Sequence, residues 1–144
     1  NILKGGIFMK PEYIYDENKG TTTCILRDKS GNVAIGIARR HPEEEIKSNR
    51  IGEYIATIRA EIKYYQIIRK TELLPKMKAI GHIYSCIFNN GEGKYDKNSP
   101  EAKLIKREYY RLYYDYKCIG DMIKSLRLGL RAYIEERDNL AKNN

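Results

Sequence analysis

The pattern of apolar and polar positions changes period partway along the chain. Up to about residue 40 it is that of strands. Residues 21–28 and 33–39 are rich in β-branched and apolar side chains and flank Lys29-Ser30-Gly31-Asn32. That quartet places a glycine where a positive φ is expected, so the segment predicts a β-hairpin. On its second arm Val33, Ile35 and Ile37 alternate with Ala34, Gly36 and Ala38. One face is then large and apolar and the other small, and a helix can pack on either. Upstream, Ile7-Phe8-Met9 and Tyr13-Ile14-Tyr15 form short strand-like pieces separated by Pro11. Proline has no N–H to give a ladder and suits an edge or a bend.

Beyond His41-Pro42 and the acidic run Glu43-Glu44-Glu45 the period becomes helical. Ser48 or Asn49 can cap a helix that carries Ile51, Ile55, Ile58, Ile62 and Tyr65 on one face and runs to about Lys70. Leu73-Leu74-Pro75 is expected to break it. Pro75 then suits the first turn of a second helix with Met77, Ile80, Tyr84 and Ile87 inward. Asn89-Asn90-Gly91-Glu92-Gly93 ends that order, and the segment to Asn98 reads as a surface loop. Ser99-Pro100-Glu101 opens the last helix, with a hydroxyl cap, proline at the first position and an acid in the first turn.

In that helix an apolar or aromatic residue stands at every three-four step: Ile105, Tyr109, Leu112, Tyr116, Ile119, Ile123, Leu126, Leu130 and Tyr133. Such a stripe must be covered, by this chain or by a second copy, and it is expected to serve as an oligomer seam. The helix is expected to reach about Arg137, roughly 55 Å at 1.5 Å per residue. It runs either as one piece or as a hairpin of two shorter helices divided at Gly120-Asp121. The fold class predicted is α+β: a small antiparallel β-sheet packed on a helix, followed by a helical hairpin with a long coiled-coil-like C-terminal helix. Residues 1–70 would hold the sheet and first helix and residues 71–144 the helical extension, in one compact domain with a helical protrusion.

Charge adds a direction to this picture. The chain of 144 residues carries a net charge of +8. Lys and Arg exceed Asp and Glu by eight to seven over residues 1–47, nine to five over 48–98 and ten to seven over 99–144, so the excess belongs mainly to the helices. Such a field draws polyanions. Hydrophobic residues at 42% and charged residues at 32% fit neither disorder nor a membrane protein. No apolar run approaches the roughly 20 residues of a spanning helix, and Asn1-Ile2-Leu3-Lys4-Gly5-Gly6 has no signal-peptide core, so a cytoplasmic location is expected. Cys24, Cys86 and Cys118 are odd in number and far apart, which supports neither a disulfide framework nor a zinc cluster. Each adjoins isoleucine, and buried thiols are expected.

Signals for chemistry are sparse. Arg39, Arg40 and His41 followed by Glu43, Glu44 and Glu45 could serve a phosphodiesterase, with His41 as base, arginine on phosphate and carboxylates on a metal. Yet consecutive residues rarely converge on one reacting atom, because strand neighbours point to opposite faces. His82 reads as a structural or surface histidine. There is no phosphate loop, Cys-x-x-Cys pair or glycine-flanked serine. Neither enzyme activity, metal nor cofactor is expected. The stronger constellation is basic and aromatic: Arg39, Arg40, Arg59, Lys63, Lys103, Lys106, Arg107, Arg111, Lys117, Arg127 and Arg131, interleaved on the helices with Tyr64, Tyr65, Tyr110, Tyr113 and Tyr114. Cations can neutralise phosphates and aromatic faces can stack on unpaired bases. The same residues would also solubilise a coiled coil or enlarge a protein interface.

Gly36-Ile37-Ala38-Arg39-Arg40-His41-Pro42-Glu43, followed by Ile51-Gly52-Glu53-Tyr54-Ile55-Ala56 and Arg59-Ala60, resembles small bacterial and phage proteins with a dsRBD-like hairpin-helix domain. The resemblance covers about residues 20–65. It implies a sheet packed on one helix, and suggests RNA binding by analogy of fold. The expectation is a non-enzymatic protein of phage or mobile-element origin that binds nucleic acid or inhibits a host nucleoprotein such as a defence nuclease, in the manner of an anti-CRISPR. A homo-oligomer without membrane contact is expected. The alternatives are an oligomeric scaffold or binder of an anionic nucleotide, and a phosphodiesterase dependent on His41.

Overall fold

Three antiparallel strands in the order β1-β2-β3 make the sheet. In the computed structural model, which describes residues 10–40, 49–88 and 97–143, they are β1 (Glu12–Asp16), β2 (Thr21–Arg27) and β3 (Val33–Arg39). They are followed by α1 (Asn49–Ile68), a π-helical turn (Arg69–Leu73), α2 (Leu74–Phe88) and α3 (Pro100–Asn143). The fold is α+β, as the two periods predict. The strand-like piece at residues 7–9, the cluster from His41 to Glu45, and Ser48 lie outside the described residues. The chain forms two compact units, one of residues 1–67 with 121–144 and the other of residues 68–120. The second half of α3 thus falls in the same unit as the sheet.

In the first unit the hairpin has the expected turn. Gly31 takes a φ of 90°, and Asp28 organises the tip. Its carboxylate accepts from the Ser30 N–H at 2.9 Å, the Asn32 N–H at 2.8 Å, the Asn32 amide at 2.9 Å and the Tyr64 hydroxyl at 2.8 Å. Asp28 and Tyr64 are both buried, so this knot ties the hairpin to α1. Tyr64 is therefore a core residue and not one of the free aromatic faces the sequence suggested.

Alternation on β3 decides which face meets α1. Ala34, Gly36 and Ala38 are buried, while Val33, Ile35 and Ile37 are exposed. Gly36 sets the spacing: a Cβ there would stand 2.1 Å from the Ala56 carbonyl oxygen and 2.3 Å from the Ala60 nitrogen. The contact is made by Ala56 and Ala60, both fully buried, with Ile55 and Ile62 buried alongside. Ile51, Ile58 and Tyr65 are only half-buried. Register brings Tyr13 opposite Cys24 and Cys24 opposite Gly36, and on this inner face the Tyr13 hydroxyl lies 2.7 Å from that of Thr57.

In the second unit the helix does not break at Leu73-Leu74-Pro75. The Leu74 N–H reaches back to the Arg69 carbonyl, one residue further than an α-helical bond. The wider turn makes room for the ring of Pro75, which has no N–H to give. Arg69 lies opposite Tyr116 and Gly120, Gly81 opposite Tyr109, and Tyr84 opposite Lys106, so α2 and the first half of α3 run antiparallel. Met77 and Phe88 are the buried residues of α2, with Ile80 and Tyr84 half-buried and Ile87 exposed, contrary to the expected inward Ile87.

Ser99 caps α3 as predicted, its Oγ accepting from the Ala102 N–H at 3.2 Å. The helix then continues unbroken through Gly120, so the division into two shorter helices is not what forms. Its apolar stripe is covered in part within the chain. Leu112, Ile119, Ile123 and Leu130 are buried, and Ile105, Tyr109, Tyr116, Leu126 and Tyr133 half-buried. Those four side chains are buried within the chain, and the other five positions of the expected seam keep partial exposure. The cysteines also differ from expectation: Cys24 is buried, Cys118 half-buried and Cys86 exposed, and all three are free thiols.

Gly36→Ala is expected to cost about 3 kcal/mol or more, because the Cβ meets helix backbone that cannot yield locally. Gly129→Ala, with nothing within 4 Å of the added carbon, should instead gain up to about 1 kcal/mol. Urea titration of both variants measures this. Burial would raise the carboxyl pKa of Asp28, but the hydrogen bonds from Asn32, Tyr64 and Ser30 outweigh it and hold the group below its ordinary value. A lowered carboxyl stabilises above its unfolded pKa of about 3.9 and loses that contribution as pH falls through the folded value. Asp28→Ala should cost about 3 kcal/mol at neutral pH, and its melting temperature should fall less than that of the natural chain between pH 5 and the acid limb.

Candidate nucleic-acid interface

The basic residues singled out in the sequence fall in both units. Lys103, Lys106, Arg107, Tyr110, Arg111, Tyr114 and Lys117 lie together on the first half of α3, in the second unit. Arg39, Arg40, Arg59, Lys63, Arg127 and Arg131 belong to the first.

In the first unit the Arg59 guanidinium and the Arg39 backbone are engaged. The Arg59 Nη1 donates to the Ile37 carbonyl at 2.7 Å. The Arg39 carbonyl accepts from Arg137 at 3.3 Å, and Arg137 is in turn paired with Asp138 at 3.0 Å. Arg39 and Arg40 border a polar recess at the end of the sheet that also contains Asp16 and Glu17. Arg137 lines it as well, so among the described residues three arginines stand against two carboxylates there. Lys63, Arg127 and Arg131 are exposed on α1 and α3 without an aromatic grouping.

The second unit is different. At 3.6 residues per turn Lys103, Arg107, Tyr110, Tyr114 and Lys117 form one stripe, and all five are exposed. Tyr110 is 64% and Tyr114 66% exposed, one turn apart, on the side of α3 away from buried Leu112 and Ile119. Arg111 flanks the stripe and is paired with Glu108, which raises the arginine and lowers the carboxyl from their ordinary pKa values. The Tyr114 phenol is held above its usual value chiefly by its hydrogen bond to the Cys118 side chain. Tyr113, half-exposed, extends the aromatic surface to one side.

Beside the stripe a groove of about 480 Å³, open to solvent, runs between α2 and α3. Ile80, Gly81 and Tyr84 line it from α2, and Ile105, Lys106, Tyr109 and Tyr110 from α3. The Lys106 ammonium stands 5.5 Å from the centre of the Tyr84 ring, and the Tyr109 and Tyr110 rings meet edge to face at 5.9 Å. The α2 side of this groove was missed in the sequence, where Ile80 and Tyr84 read as inward packing. Gly81 was the available signal, a glycine within a helical pattern where close approach or open space is needed.

Comparison with protein-family models, with curated proteins and with solved structures finds no match to this chain. Among the described residues no group of His, Cys, Asp and Glu could hold a metal ion, and no helix is long and apolar enough to cross a membrane. His82 is exposed, with its Nε2 3.5 Å from the Cys86 sulfur. The His41 of the phosphodiesterase reading lies outside the described residues.

Proposed function

We propose that this protein is a non-enzymatic interaction protein that binds nucleic acid through the outer stripe of α3. The observation that carries the reading is the pair Tyr110 and Tyr114, some two-thirds exposed and set between Lys103 and Arg107 on one side and Lys117 on the other. Exposed cations are ordinary on a helix, but two bare phenol rings in register with them present stacking faces beside phosphate contacts. The net charge of +8 brings polyanions to this surface and speeds encounter. An inhibitory role toward a host nucleoprotein would run through the same residues. A basic protein competes by holding the strand, not by occupying the basic groove made for it.

Self-association is a second reading, favoured by Ile14, Val33, Ile35 and Ile37, which are exposed on the sheet face turned away from α1. A two-fold copy would set this face against itself and needs no other complementary surface. The two readings respond oppositely to salt, which weakens phosphate binding and screens the repulsion between basic copies.

Fluorescence anisotropy of labelled oligonucleotides is expected to show binding at about 50 mM salt that weakens at least ten-fold by about 200 mM. Tyr110→Ala and Tyr114→Ala should each cost about 1–3 kcal/mol of affinity. Absence of binding to any single- or double-stranded DNA or RNA at the lower salt would overturn the proposal. For the second reading, light scattering should show a mass above one chain that rises with salt and returns to a single chain in Ile35→Lys. A single chain under all conditions disposes of it.

A further inference from the structure

The groove between α2 and α3 adjoins the stripe at Tyr110, which belongs to both. Resting on the nucleic-acid reading, we infer that this groove receives one unpaired base of a single-stranded nucleic acid while the neighbouring phosphates lie along Lys103 and Arg107.

Shape and chemistry agree on that occupant. Gly81 leaves an opening on α2 that a large side chain would fill. A Cβ there would stand 3.8 Å from the Tyr109 ring, in ordinary contact with it. Tyr84 and Tyr109 contribute aromatic walls, and Ile80 and Ile105 supply apolar surface at the base. Aromatic walls favour a flat ring, which can stack on them, over a branched aliphatic group. Among the described residues, Lys106 is the charged one that lines the groove, and it is a cation. The group that enters should therefore be part of an anion. Its ammonium sits over the Tyr84 ring at 5.5 Å; an arriving phosphate gives it a stronger partner than the ring, and its departure frees the ring face. The bases of a duplex are stacked and paired and cannot enter without disruption, so the groove selects single strands.

The test uses the full chain and a thymidine oligonucleotide with a single 2-aminopurine, whose emission falls when it stacks on an aromatic ring. Gly81→Leu fills the groove, keeps every charge and improves helix propensity. Tyr84→Leu removes one wall and keeps an apolar side chain, as a second variant. Binding by the natural chain should quench the emission. Either variant should weaken single-strand affinity about ten-fold and reduce the quenching to what the stripe's own rings produce, with the salt slope lowered by no more than the one Lys106 contact. The matching duplex should bind more weakly than the single strand and be indifferent to Gly81→Leu. If both variants bind the single strand as the natural chain does, or the duplex binds equally well, the groove assignment is overturned while binding through the stripe stands. If no oligonucleotide binds, both fall together.

Discussion

The approach of α1 to β3 at Gly36 is the constraint from which the first unit follows. With the Ala56 carbonyl and the Ala60 nitrogen so near, no side chain can stand between helix and strand, and only alanine and glycine are admitted along that line. Because strand side chains alternate, fixing the small residues inward fixes Val33, Ile35 and Ile37 outward. The aliphatic outer face is thus the other side of a tight helix-on-sheet contact. The buried carboxylate of Asp28 secures the same arrangement at the hairpin tip, where four donors converge on it and one of them comes from α1.

What the sequence made legible was local. Gly31 and the β-branched arms on either side of it specify a hairpin within a dozen residues, and Ser99-Pro100 specifies a helix start within three. The continuity of α3 through Gly120 was readable as one of two outcomes, since the apolar stripe keeps its register across the glycine. What stayed hidden depends on distant partners. Alternation on β3 offered two faces, and only the presence of Ala56 and Ala60 above Gly36 chooses between them. Tyr64 and Tyr65 are indistinguishable as neighbours in sequence, but Asp28 takes one of them into the core. Pro75 looked like a helix breaker because a proline normally costs a hydrogen bond and a clash. A wide turn with Leu74 bonded to Arg69 absorbs both. The heptad stripe was plain, whereas its cover was not, since periodicity states that a face must be buried and not by what.

The candidate interface is a by-product of that stripe. Turning Leu112 and Ile119 inward necessarily sends the positions half a turn away outward, and in the first half of α3 those positions hold lysine, arginine and tyrosine. The sequence placed these residues in one class with Arg39, Arg40 and Arg59. The structure separates them by what they touch: Arg59 is hydrogen-bonded to the sheet, Arg39 and Arg40 share a recess with two carboxylates, and the set on α3 keeps its rings and most of its charges facing water.

Arg59 has a further significance at the margin of the sheet. β3 is an outer strand of the sheet, with a row of peptide groups that a foreign strand could zip onto. By lending its guanidinium to the Ile37 carbonyl, Arg59 occupies an acceptor on that margin and parks a positive charge beside the most aliphatic stretch of the sheet. It is in effect a gatekeeper against fibril-like growth, and a chain that lost it would face its gravest hazard not in the folded protein's stability but in its solubility over time.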